Sequence, residues 1–134
     1  MIDFFVPGIP VPQGRARAFT RPGMKGVRFY DPKKSKGWKE IVAWEAHRQM
    51  TAERLLPSNA PLKLYCWFAL KAPKDRGPNH HHDRKPDLDN LVKAVKDALK
   101  GVCWQDDSQV CILVASKNYA LPGEEGVRIK IERA

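Results

Sequence analysis

Counted from Leu88, the apolar residues Leu91, Val92, Val95, Leu99 and Val102 stand 3, 4, 7, 11 and 14 positions further along. Only a helix collects that spacing onto one face. Asp87 just before the stripe is a natural N-cap, and Gly101 just after it is a natural stop, so the pattern predicts a helix near 88–100. Around it, β-type runs predict strands near 2–6, 62–70, 109–119 and 127–132. A second helix is predicted near 32–55, started by Asp31-Pro32, limited by Pro57 and turning Trp38, Ile41, Val42 and Ala46 inward. No repeat or linker interrupts these elements. At 134 residues the chain is an α/β (α+β) single domain, large enough to fold without a disulfide or structural metal. Cys66, Cys103 and Cys111 form an odd set with no CxxC pair, which suits reduced thiols and a cytoplasmic setting. Ile2–Val6 is too short for a signal peptide or a membrane span.

Charge narrows the partner. The chain carries a net +9, and residues 1–40 alone hold nine Lys/Arg against three acids, whereas residues 101–134 hold four against five. Such asymmetry favours a polyanion, above all nucleic acid, although an inert basic face has the same composition. Pro7–Pro32 contains five Pro and four Gly and therefore reads as loop, with Val27–Tyr30 a short strand within it. It carries Arg15, Arg17, Arg21, Lys25 and Arg28, either an arm wrapping a phosphate backbone or a solvated loop. Lys33, Lys34, Lys36 and Lys39 then oppose the macrodipole of the first helix. Free N–H groups with lysines at a helix start bind phosphate; the alternative is a tolerated basic face.

Acids retained in so basic a chain need a reason. Asp87 and Asp89 stand at the predicted start of the second helix, with Lys93 four residues beyond Asp89 on the same flank, and Asp106-Asp107 precede the strand that begins near 109. A cap plus an i, i+4 ion pair accounts for Asp87, Asp89 and Lys93 without chemistry. The functional alternative is that acids from a helix start and a strand start converge on a divalent cation, which prefers hard oxygen ligands. His80, His81 and His82 lie in a polar loop without zinc-ligand spacing and read as mobile, and His47 reads as surface or core. Ser108 lacks an evident base, so no covalent nucleophile stands out.

The ordered set Pro86-Asp87-Leu88-Asp89-Asn90-Leu91 with Lys93, Asp97-Ala98-Leu99, Trp104, Asp106-Asp107 and Gln109-Val110 resembles the RusA endodeoxyribonucleases, Holliday junction resolvases of bacteria and phages. Ile9–Arg17 is similar to the opening of phage-type members. Where some members carry an arginine run before the acidic motif, this chain has His80–His82, Asp83, Arg84 and Lys85.

The resemblance implies a mixed β-sheet with two main helices, a homodimer, and Mg²⁺, with Mn²⁺ as the alternative, held by Asp87, Asp89 and Asp107. It implies Lys93 as the essential lysine and gives Asp106 no assigned role. Paired symmetric nicks in a four-way DNA junction, leaving 5′-phosphates and 3′-hydroxyls, would serve recombination and repair. Arg15, Arg17, Arg21, Lys33, Lys34, Arg84 and Lys85 are the candidate DNA contacts, and neither a small-molecule cofactor nor a membrane is implied. The rivals are a non-catalytic basic nucleic-acid-binding module, and a nuclease of the same family acting on forks or flaps.

Overall fold

The computed structural model describes residues 1–14, 33–75, 77–78 and 80–134. The arm residues Arg15, Arg17, Arg21, Lys25 and Arg28, the strand expected at Val27–Tyr30 and the cap at Asp31-Pro32 lie outside the described residues. In chain order the elements are β1 (Ile2–Pro7), α1 (Lys33–Ala52), β2 (Leu62–Lys71), α2 (Leu88–Leu99), β3 (Val110–Ala120) and β4 (Gly126–Arg133). A 3-10 turn at Asp107–Gln109 leads into β3.

The four strands form one mixed sheet in the order β1-β4-β2-β3. β4 is antiparallel to both β1 and β2, while β2 and β3 run parallel, from Leu62 beside Val110 to Lys71 beside Ala120. Parallel neighbours need a crossover, and α2 supplies it. Strict alternation sorts the faces: Leu62, Leu64, Cys66, Phe68 and Leu70 of β2 are buried with Ile2, Phe4 and Val6 of β1 and Val127, Ile129 and Ile131 of β4. The helices cover that face, burying Leu91, Val92, Ala94, Val95, Ala98 and Leu99 of α2. Gly126 allows β1 and β4 to approach closely, since a side chain there would strike the Phe5 ring and the Val6 carbonyl.

α2 begins after the cap position of Asp87 and ends at Lys100, with Gly101 at φ +81°, as the spacing predicts. α1 differs in its inner face. Ser35, Trp38, Val42, Ala46 and Met50 are buried, whereas Ile41 is 53% exposed. The contact is a narrow row of residues mostly four apart against α2 and β1, and Ile41 falls about 100° off that row. The histidine triplet is also not the mobile loop expected from its composition. His82 N–H donates to the Lys117 carbonyl at 3.0 Å and Tyr119 N–H to the His80 carbonyl at 2.9 Å, so the segment pairs with the outer edge of β3. His47 is exposed on α1, as one of its two readings had it. No helix among the described residues is long and apolar enough to cross a membrane.

Candidate active site

The parallel pairing of β2 and β3 dictates where the acids stand. α2 runs back along the sheet, so its first turn, with Asp87 and Asp89, lies at the end where β2 and β3 finish. The turn carrying Asp107 lies at the opposite end, where both strands begin. α2 alone spans about 18 Å, and Lys117, which contacts the Pro86 carbonyl, is seven residues, about 23 Å, along β3 from Val110. Asp107 therefore does not meet Asp87 and Asp89 within one chain, contrary to the convergence expected from sequence. The expectation placed the turn beside the helix's start, whereas a crossover between parallel strands puts it beside the helix's end. Among the described residues no three His, Cys, Asp or Glu side chains are grouped so as to hold a metal ion.

At the first end, Asp87 occupies the N-cap position with extended backbone, yet its side chain makes no capping hydrogen bond. Its carbonyl accepts from Leu91 N–H at 3.2 Å, which starts the helix. Asp87, Asp89 and Lys93 are all exposed. Two contacts bring basic segments to this place. Gln13 N–H donates to the Asn90 carbonyl at 2.9 Å, and Gly14 N–H donates to Ser35 Oγ at 3.2 Å. The root of the arginine arm is thus held between the first turns of α2 and α1, and exposed Lys33 and Lys34 of α1 share that region. Arg84 and Lys85 are exposed just before Asp87; Arg84 also pairs with Asp75 at 3.0 Å. Gln13 Oε1 is buried there with no donor among the described residues.

The approach to Asp87 is fixed by β3. After His82 the backbone leaves the strand edge and side chains take over its support. Tyr119 Oη donates to Asp83 at 3.0 Å, and Lys117 Nζ donates to the carbonyls of Arg84 and Pro86 at 2.6 and 2.7 Å. His82 is buried against the Tyr119 ring, and burial, reinforced by the Lys117 cation, holds its pKa below the ordinary imidazole value. Sequence reading missed Lys117 and Tyr119. Their signal was weak, two polar residues in a strand that reads as apolar at its start.

At the second end the chain is locked. Trp104 is fully buried and its indole N–H donates to Asp107 Oδ1 at 2.9 Å, satisfying a group that burial would otherwise leave costly. Gln109 Oε1 accepts from the N–H groups of Gln105 and Asp106 at 2.9 and 2.8 Å, and its Nε2 donates to the carbonyls of Ser58 and Ala60 at 2.8 and 3.0 Å. This fixes the acidic turn to the segment entering β2. Exposed Asp106 stands at the turn's N-cap. Cys66 and Cys103 are buried and their thiol pKa values are pushed up to about 12, so neither is a ready nucleophile.

Comparison with known proteins bears directly on these two ends. The family model described as "Endodeoxyribonuclease RusA" matches residues 7–132. An uncharacterized Bacillus subtilis (strain 168) protein, YqaN, is 38% identical over 128 residues, covering 89% of this chain and 88% of its own length. Both acidic ends, the root of the arm, β2, β3 and all of β4 but Arg133 fall within the family match, whereas of β1 only Pro7 does. The chain belongs to the RusA endodeoxyribonuclease family, and so to the nucleases that hydrolyse DNA internally.

Proposed function

We propose that the protein is a structure-specific endodeoxyribonuclease that resolves four-way DNA junctions by paired nicks in recombination and repair, acting as a homodimer in the bacterial or phage-infected cytoplasm. The observation that carries this reading is the gathering at one end of α2. Asp87, with a carboxylate not consumed by capping, stands with Asp89 where Gln13–Asn90 and Gly14–Ser35 contacts deliver the root of the arginine arm and the lysine-rich start of α1. Acids surrounded by bases suit hydrolysis of a polyanion. Arg15, Arg17, Arg21, Lys33, Lys34, Arg84 and Lys85 hold the phosphate backbone, giving binding that weakens with salt. Lys93, one turn beyond Asp89, offsets charge that builds on the phosphoryl oxygens.

The carboxylates of Asp87, Asp89 and Asp107 are donors of the kind that Mg²⁺ or Mn²⁺ takes, but one chain supplies only the first two in one place. When bound, the cation polarises the phosphate and acidifies a water. A second copy provides the missing acid. In β3 the residues Ile112, Leu113 and Val114 are 44%, 50% and 39% exposed, an apolar run on a sheet edge, which monomers usually protect. Among the described residues only the bridge from His81 to Asn118 covers the outer side of this strand, at its far end. A two-fold antiparallel pairing of two such edges about Leu113 covers the run and is self-complementary. Asp107 and Tyr119 lie six residues either side of Leu113, so this pairing sets Asp107 of one copy beside Tyr119, Lys117 and the approach to Asp87 of the other.

The test uses purified protein on synthetic four-way junctions, forks, flaps and duplex with Mg²⁺, and with Ca²⁺ for binding. Wild type cuts the junction preferentially, and Asp87→Asn binds without cutting. Mixing Asp87→Asn with Asp107→Asn regenerates one intact site per mixed dimer and restores single nicks but not paired ones. Absence of cleavage by the wild type would make the protein a binding module, and cleavage by Asp87→Asn at the wild-type rate would remove Asp87 from the chemistry. Preference for forks or flaps would reassign the substrate, and failure of the mixture to nick would remove the shared site.

A further inference from the structure

The Lys117 ammonium reaches from the helix-facing side of β3, where it is in register with buried Phe68, to the two carbonyls that flank Lys85. At 2.6 and 2.7 Å both are charge-assisted hydrogen bonds, the stronger class of such contacts. The same residue's own carbonyl receives His82 N–H at 3.0 Å, so Lys117 holds the segment at both its beginning and its end. Between those points the chain has left the strand edge, and Asp87 follows directly on the second gripped carbonyl.

We propose that Lys117 is a positioning residue for Asp87, fixing the peptide on which that carboxylate is mounted so that it presents to the scissile phosphate in one orientation. This rests on the nuclease reading of Asp87 given above. Lys117 is partly buried and two of its three N–H groups face carbonyls, so it acts through the backbone and not by direct contact with DNA. A long cation is required because the gap is bridged from a neighbouring strand whose main chain is already paired with β2 and His82. An apolar side chain of similar length leaves both carbonyls to water and lets the carboxylate wander. Misplacement of a reacting group by about 1 Å can cost on the order of 100-fold in rate.

Lys117→Met, Lys117→Arg and Asp87→Asn are compared in the full chain by thermal unfolding, junction affinity in Ca²⁺ and single-turnover cleavage in Mg²⁺. Lys117→Met is expected to cleave about 10- to 100-fold more slowly, with junction affinity unchanged, and Lys117→Arg, which keeps the charge and two donors, to recover most of the loss. If Lys117→Met fails to fold, Lys117→Gln, with a single reach of amide donors, takes its place in the same measurements. Wild-type cleavage by Lys117→Met beside an inactive Asp87→Asn overturns the inference while leaving the nuclease reading intact. Equal losses of affinity and rate, or no recovery by Lys117→Arg, overturn it as well. Cleavage by Asp87→Asn itself removes the parent reading, and the role of Lys117 with it.

Discussion

The two acidic ends of the crossover unit are built in opposite ways. At the end with Asp87 and Asp89 the structure holds the backbone and leaves the Asp87 carboxylate out of the cap, Lys117 gripping carbonyls at 2.6 and 2.7 Å. At the other end it holds the carboxylate itself, since Asp107 accepts from the buried indole of Trp104 at 2.9 Å. An acid with a local structural duty and an acid without one look identical in sequence. Here the first has one oxygen committed within its own chain, and the second stands among the bases.

The largest break in the comparison should come from keeping the ends apart. Leu113→Asp places charges on the β3 edge of both copies; sedimentation should then show monomer, cleavage should fall to background, and the thermal midpoint should lose its dependence on protein concentration. Retained dimer and cleavage would mean that the edge is not the interface. Next in size is the contrast between the acids in stability. Asp107→Ala leaves the Trp104 N–H without its acceptor and should cost about 1–3 kcal/mol in denaturant unfolding, whereas Asp87→Ala, which loses no capping bond, should stay within about 0.5 kcal/mol.

A smaller effect distinguishes the first end by pH. His82 has its folded pKa lowered, first by burial and then by Lys117, so below about pH 6.5 the unfolded chain binds a proton that the folded chain resists. Stability should therefore fall as pH drops from about 6.5 towards the folded pKa and be independent of this residue above it. His82→Phe should flatten that slope in unfolding curves taken between acid and neutral pH. The mildest readout is thiol labelling at neutral pH. Exposed Cys111 should react promptly while buried Cys66 and Cys103, with pKa values near about 12, stay silent until unfolding. If β3 pairs with a second copy, Cys111 should react more slowly as protein concentration rises.

Local patterns were legible because local physics set them. The stripe from Leu91 to Leu99 and the stop at Gly101 gave α2, and the alternating and apolar runs gave the strands to within a residue or two. Ile41 was misjudged because helix propensity and apolarity do not reveal how narrow a contact will be. The histidine segment was misjudged because its order comes from β3, which lies 37 residues away in the His81–Asn118 contact. The acids were identified by type and by resemblance, but their separation is a consequence of strand direction. Nothing in the composition of residues 62–70 and 110–119 states that those strands run parallel.

The face of the sheet turned away from the helices has a chemistry of its own. There Tyr65 and Trp67 stack at 5.2 Å, with Lys63 and Lys130 4.8 and 5.3 Å from the Tyr65 ring and Arg128 5.2 Å from the Trp67 ring. Arg128 is also paired with Asp3 at 2.7 Å and Tyr65 Oη with Glu132 at 2.8 Å. These three cations thus have local company in rings, and Arg128 and Lys130 in carboxylates as well. The two faces of the sheet therefore offer any polyanion different chemistry: helices on one side, and on the other an aromatic pair ringed by cations, part of whose charge Asp3 and Glu132 offset.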